Sequence, residues 1–291
     1  MRWLAIANPV AGRARDTERL LAQLRRTGGI RHELVQTASQ GDATRLARQA
    51  DGFDGLLVIG GDGTIAEVLH GMDFDRQRLA VLPAGHGNCL ARDLGVGHPG
   101  RALASLQRAA CRPLDLMDVC ISFADGREER RLCASTLALG YVAEVVALGR
   151  HRLHALGRTA YAAAAMVVVP RLFEARFAGS SDPRPQHYTG LVINNTAHLA
   201  NFRGLPDASV HDGRLDIMEQ RYGWPRQLLH NLSVLAGSRR LGPLRLRQAS
   251  AEHVELGQPR QLMADGEMLD DVTRVSVTCR PGAVSCVVAA E

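Results

Sequence analysis

Along the first third of the chain, short apolar runs alternate with segments whose apolar residues recur every three or four positions. Residues 3–7, 32–36, 55–59 and 79–82 predict strands, and residues 17–26, 42–49 and 65–72 predict the helices between them. Such alternation implies a parallel sheet with helical crossovers, a Rossmann-like α/β layout. After about Asp118 the texture changes. β-branched and apolar runs at 118–123, 131–139, 189–194, 214–219, 253–256 and 274–278, separated by turn residues, predict an antiparallel, β-sandwich-like module. Its helical inserts are predicted at 141–150, 159–174 and 225–236, and 179–185 is its most loop-like segment. The expected division is an α/β domain over 1–118 and a β-rich domain over 119–291.

Composition excludes some classes. With 291 residues, 46% of them hydrophobic, the chain can bury a substantial core, and its length favours two domains. The longest strongly apolar run, 160–169, is about half of what a membrane-spanning helix requires, and Pro170 stops it. Six cysteines (Cys89, Cys111, Cys120, Cys133, Cys279, Cys286) contain no CxxC pair. With a start at Met1-Arg2-Trp3-Leu4 that runs directly into a strand, they point to a reducing cytoplasm. A net charge of +5, with basic clusters at Arg150-His151-Arg152-His154 and from Arg239-Arg240 to Arg245 and Arg247, favours contact with an anionic surface. Nucleic acid is not the expected target, because only 4% of residues are aromatic and no reader motif occurs. His151, His154, His187, His198 and His211 lack metal-ligand spacing, and Asp115 and Asp118 read as a cap or a salt bridge.

The chemistry concentrates where the strand at 55–59 runs into Gly60-Gly61-Asp62-Gly63-Thr64. Glycines carry no Cβ to hold backbone N–H groups away from an anion, Thr64 adds a hydroxyl, and a helix opening there aims its positive end at the same place. The segment reads as a phosphate-binding turn. Three other strand ends, at Asn8-Pro9, Thr37 and the stretch from Pro83 to Asn88, would converge on one crevice with it. Gly61-Asp62-Gly63-Thr64-Ile65-Ala66 also satisfies the GxGxxA dinucleotide fingerprint. A ribose-binding acid is expected about 20 residues further on. The next strand instead ends in a second glycine turn, Pro83-Ala84-Gly85-His86-Gly87-Asn88. Asp62 would repel a pyrophosphate unless a divalent cation or a water intervened, so metal-assisted phosphoryl transfer explains it better.

Taken in order, Asn8-Pro9-Val10-Ala11-Gly12, Thr37 with Gly41-Asp42-Ala43, the glycine turn with Glu67-Val68, Leu82-Pro83-Ala84-Gly85 with Asn88, Asp212-Gly213-Arg214-Leu215-Asp216 and Asp265-Gly266-Glu267 carry a likeness. The chain resembles the diacylglycerol kinase catalytic-domain family, in particular bacterial lipid kinases related to sphingosine kinases and, more distantly, to NAD kinases. The resemblance implies an ATP-dependent lipid kinase, with ATP bordered by Asn8, Thr37, Gly60, Gly61, Asp62, Gly63, Thr64, Ile65, Ala66, Gly85, His86 and Asn88. It implies that Glu267 accepts the proton of the lipid hydroxyl and that Asp62 organises, through water, the Mg²⁺ brought in with ATP. It also implies a second magnesium ion on the Asp212 carboxylate and the carbonyls of Ser209 and Arg214. By their own residues, Asp265-Gly266 and Asp212-Gly213 read equally as turns.

His86 stands where the family commonly has threonine, and Ala66 where asparagine is frequent. Asn201-Phe202-Arg203-Gly204-Leu205-Pro206 departs from the glycine-rich stretch that often precedes the metal motif, which leaves the acceptor open among diacylglycerol-like, phosphatidylglycerol-like and sphingoid lipids. The implied partner is a lipid at the membrane surface, reached by transient peripheral docking from the cytoplasm, with acyl chains in the β-rich domain. Oligomeric state, a homodimer included, stays open. Two rivals remain: an NAD kinase-like enzyme with a soluble acceptor, and a catalytically silent nucleotide- or lipid-binding module.

Overall fold

The computed structural model describes residues 1–12, 14–85, 87–151, 160–177, 184–199, 202–205, 207–221, 223–235 and 245–289. In chain order the elements are β1 (Arg2–Ala7), α1 (Ala14–Arg26), β2 (Arg31–Gln36), α2 (Asp42–Arg48), β3 (Gly55–Gly60), α3 (Asp62–Leu69), β4 (Arg78–Pro83), α4 (Cys89–Asp93), α5 (Pro99–Arg108) and β5 (Cys111–Phe123). There follow β6 (Glu128–Cys133), β7 (Thr136–Gly140), α6 (Tyr141–His151), α7 (Ala160–Val167), β8 (Phe173–Phe177), β9 (Gln186–Tyr188), β10 (Gly190–Asn194), β11 (His198–Leu199) and β12 (Phe202–Arg203). The last are β13 (Leu215–Gln220), α8 (Trp224–Leu235), β14 (Arg245–Ala249), β15 (Ala251–Ala264) and β16 (Glu267–Val287).

Two compact units result. The first takes Met1–Leu116 with Thr196–Gly213 and Arg280–Glu291, and the second takes Met117–Asn195 with Arg214–Cys279. One boundary therefore falls inside β5 and another inside β16, where the sequence texture shows a single change near 118.

In the first unit the strands run parallel in the order β2-β1-β3-β4, and the end of β16 pairs parallel with β4. All six residues of β3 are buried, as expected of a parallel strand covered on both faces. The chain steps from β1 outward to β2 and then crosses back to β3. This reversal opens a crevice beyond the C-terminal ends of β1 and β3, the usual ligand position on such sheets. Asn8 follows β1 and the glycine turn follows β3, so both stand at it.

Pairing in the second unit is antiparallel: β14-β13-β10-β7-β15-β16, with β6 on β5 and with β8 on β15 and β9. Inward positions alternate along the strands, so Met117, Val119 and Ile121 of β5 share one core with Leu137, Leu139, Ile193, Ile217, Val275 and Val277. The parallel α/β unit and the antiparallel, sandwich-like unit are the two classes the sequence implies.

Four local readings are corrected. The helix expected at 65–72 spans Asp62–Leu69, because Gly61 is extended (φ −107°, ψ −173°) and serves as its N-cap. The insert expected at 159–174 ends at Val167; Pro170 cannot continue it, and Phe173 and Ala175, alternately buried, begin a strand. The run 131–139 breaks at Ala134-Ser135 into β6 and β7. The runs at 253–256 and 274–278 are parts of the much longer β15 and β16. His86, Arg152, His154, Thr159, Asn201, Pro206, Ala236, Arg239 and Arg240, and most of the expected loop at 179–185, lie outside the described residues. Among the described residues, no helix is long and apolar enough to cross a membrane.

Candidate functional site

In the first unit the two glycine turns pack backbone against backbone. A Cβ on Gly85 would stand 2.6 Å from the Gly61 Cα, which leaves no room for a side chain there, and one on Gly61 would stand a tight 3.1 Å from the Gly85 Cα. Asn88 holds the second turn closed: its Oδ1 accepts from the Gly85 amide at 2.9 Å and its Nδ2 donates to the Gly85 carbonyl at 2.8 Å. Asn8 reaches the first turn, with Nδ2 donating to Thr64 Oγ1 at 3.1 Å. A hydroxyl that accepts one bond still has its own proton to donate. The Thr37 amide donates to the Ala7 carbonyl at 2.9 Å, which ties the end of β2 to that of β1.

The early start of α3 changes the chemistry of the turn. Asp62, Gly63 and Thr64 occupy its first turn, where amides lack partners within the helix, and Gly61 provides no side-chain cap. Their N–H groups and the helix dipole together favour an anion. Ile65 is buried, so only its main chain can face a ligand. Ala66 gives its carbonyl to His70 Nδ1 at 2.7 Å.

Asp62 and Glu67 are structural ties within this unit. Asp62 caps α4, its Oδ2 accepting from the Cys89 amide at 3.1 Å and its Oδ1 from the Leu90 amide at 3.2 Å. Glu67 Oε2 accepts from the amides of Gly41 and Ala43 at 3.0 and 3.2 Å, which fastens α2 to α3. This accounts for the Gly41-Asp42-Ala43 segment without a ligand. Glu67→Ala is expected to cost about 1–2 kcal/mol in urea unfolding, because two amides lose their acceptor, whereas Glu67→Gln keeps one oxygen and most of that stability.

Asp115, buried, accepts from the Gly213 amide at 2.6 Å and the Gly282 amide at 2.7 Å, and Asp118 pairs with Arg130 at 2.7 Å. Asp118 thus forms a salt bridge of the kind the sequence suggests, while Asp115 anchors two glycine amides outside any helix. Ser209 Oγ accepts from the His211 amide at 3.3 Å, and Asp212 is exposed. Ser209 and Asp212 belong to the first unit, whereas Arg214 opens the second. His198 is held by Asp93, its Nδ1 lying 2.6 Å from Asp93 Oδ1.

In the second unit Asp265 is no exposed turn residue. It is 5% exposed, and its carboxylate accepts from the amides of Ala134 (2.7 Å), Ser135 (2.9 Å) and Thr136 (2.8 Å) and from Ser135 Oγ (2.6 Å). Two residues on, Glu267 is exposed at 44% of its side chain and pairs with Arg131 Nη1 at 3.0 Å. Arg131, only 13% exposed, also binds Glu129 through Nε at 2.9 Å. Burial opposes the charge on Arg131, but Glu129 and Glu267 outweigh it and hold the guanidinium protonated. Burial also pushes the Cys133 thiol well up, which keeps it neutral. Arg131, the partner of the candidate residue Glu267, is what sequence reasoning misses. Its only local signal is that Glu129 and Arg131, two apart on a strand, share a face.

The second unit also contains a cavity of about 580 Å³ lined by Gly140, Ala147, Leu148, Arg171 and Arg260 among others. From α6 it takes Ala143, Ala147 and Leu148 together with the acid Glu144, and Arg171 and Arg260 also line it.

Two family models match the chain. The diacylglycerol kinase catalytic domain covers residues 2–119, and the YegS C-terminal NAD kinase beta sandwich-like domain covers residues 135–288. The chain is 28% identical over 228 residues to a diacylglycerol kinase of Bacillus subtilis (strain 168), covering 73% of this chain and 71% of that protein. It is 30% identical over 210 residues to the protein named "Probable lipid kinase YegS-like" of Pseudomonas aeruginosa (strain UCBPP-PA14), covering 69% of this chain and 66% of the relative. Among solved structures, a diacylglycerol kinase from Bacillus anthracis str. Sterne shares the fold at a TM-score of 0.71 and 18% identity, over 99% of this chain and 96% of that one. Yeast NADH kinase complexed with NADH shares it more loosely, at a TM-score of 0.53 and 12% identity, over 100% of this chain and 84% of that one. The chain belongs to the diacylglycerol kinase and YegS family of lipid kinases.

Proposed function

We propose that this protein transfers the γ-phosphoryl group of ATP to a hydroxyl of a diacylglycerol-like, phosphatidylglycerol-like or sphingoid lipid. The observation that carries the reading is the backbone packing of Gly61 against Gly85 beside the first turn of α3, whose N-cap offers its amides no side-chain acceptor. The triphosphate seats on those amides and on Thr64, with Asn8 fixing the hydroxyl, Asn88 fixing the second turn, and Thr37 and Ala66 along the border. Glu267 in the second unit takes the proton from the acceptor hydroxyl as the oxygen attacks phosphorus, and Arg131 holds its carboxylate in place. The alanine and leucine side of the cavity on α6 takes acyl chain, so the nucleotide belongs to the first unit and the lipid to the second.

The oxygen donors suit magnesium. Among the described residues no three His, Cys, Asp or Glu side chains gather, so a hard cation at 209–214 would draw on the carbonyls of Ser209 and Arg214 as well as the Asp212 carboxylate. Asp62 would hold a second ion through water. Magnesium bound with ATP would neutralise charge on the β- and γ-oxygens.

Radiolabelled ATP incubated with the protein and a total lipid extract is expected to give a labelled lipid, and NAD offered in parallel is expected to stay unlabelled. Label on NAD would favour the soluble-acceptor enzyme, and no label on either would favour a silent binding module.

A further inference from the structure

Helix α8 is turned inside out. Gln227, 2% exposed, accepts from Gln220 Nε2 and donates through its own Nε2 to Asn231 Oδ1 at 2.9 Å. Asn231 Nδ2 in turn donates to Tyr141 Oη at 2.7 Å and to the Ala165 carbonyl at 2.6 Å. Among the described residues of the helix, Gln227 and Asn231 thus turn a chain of amides inward. On the outward face Pro225, Leu229 and Leu232 follow one another at i, i+4 and i+7, and Leu229 and Leu232 are 67% and 47% exposed. A surface helix of a globular protein shows the opposite arrangement.

The apolar surface continues past α8. Trp224, at its start, is exposed, and the Asn231 bond to Ala165 ties α8 to α7, beyond whose end Val169 and Leu172 are exposed. Patches of this kind mark contact with another apolar phase. We infer that the outward face of α8, with the exposed end of α7, docks the protein on an anionic lipid bilayer.

Charge selects this occupant. Between Glu219 and Glu252 the sequence has six arginines and no acidic residue; Glu219 pairs with Arg221, Arg245 and Arg247, and Arg226 on α8 and Arg171 beside Leu172 stand exposed. In a two-fold dimer through this face the same arginines would meet one another and repel, whereas anionic headgroups complement them. Exposed leucines with arginine nearby and a tryptophan at one end are the composition of a helix lying in the headgroup region. The docking face deepens the lipid-kinase reading, since it would bring the unit that holds Glu267 to the surface where an acceptor lipid resides.

The test is co-sedimentation with phosphatidylcholine vesicles containing about 30% phosphatidylglycerol, against phosphatidylcholine alone, without ATP. Wild type is expected to sediment with the anionic vesicles, less so at high salt, with a blue shift of Trp224 emission. The double variant Leu229→Glu/Leu232→Glu is expected to lose at least about ten-fold in partitioning with an unchanged urea midpoint. Equal binding by wild type and variant, absence of vesicle binding, or a solution dimer that the variant dissociates would each overturn the inference. A protein that phosphorylates a detergent-dispersed lipid but ignores vesicles loses the docking face alone. One that binds vesicles through these leucines yet labels no lipid loses the kinase reading alone.

Discussion

Replacing Asp265 by alanine is expected to lower the stability of the second unit by about 3–5 kcal/mol, read as a fall in the urea midpoint. Its carboxylate is the acceptor for three consecutive amides, those of Ala134, Ser135 and Thr136, and for the Ser135 hydroxyl. Those donors are buried at the break between β6 and β7, and without the carboxylate water reaches them poorly. Its backbone (φ 45°) lies where a non-glycine residue is strained by about 1–2 kcal/mol. Asp265→Gly would relieve that strain and still leave four donors unmatched, so it should remain well below wild type. Asp265→Asn, which keeps one acceptor oxygen, should fall between. An unchanged midpoint for both Asp265→Ala and Asp265→Gly would mean that the bend is held by something other than this side chain.

The same residue shows what a sequence can and cannot reveal. Asp265-Gly266 reads locally as a turn, and it is one; but the partners of Asp265 are about 130 positions away and leave no local trace. Arg131 stays hidden for the same reason, its pairing with Glu267 spanning 136 positions. By contrast the glycine turn after β3 is legible, because a strand buried on both faces is an apolar run and the glycines that end it are required by close backbone approach. The strand classes of both units follow likewise from period and run length. The returns of 196–213 and 280–291 to the first unit do not, since hydrophobic texture reports that a strand is buried and not which sheet buries it. Helix α8 marks the other limit. Its leucines predict a helix correctly, yet an apolar stripe would ordinarily face inward; here an amide chain from Gln220 to Tyr141 takes the inward side and leaves leucines outside.

Glu267→Gln is expected to lower the rate of phosphoryl transfer about 10²–10⁴-fold, the usual contribution of a positioned proton acceptor, or about 3–5 kcal/mol of barrier. The amide keeps the size of the side chain and one oxygen for Arg131 but cannot take a proton. ATP affinity should be unchanged, because the proposed phosphate seat is made of main-chain amides of the first unit and does not involve this residue. Folding should change by less than about 1 kcal/mol, since the pair with Arg131 is nearly half exposed on the glutamate side and Arg131 keeps Glu129 as a partner. The combination separates Glu267 from its neighbour: Asp265 variants should fail by unfolding, and Glu267→Gln should fail while folded and loaded with nucleotide. Turnover equal to wild type would remove Glu267 from the chemistry. A matching loss of ATP binding would instead give it a part in the nucleotide seat. Only a folded, ATP-binding and slow enzyme leaves proton acceptance as its role.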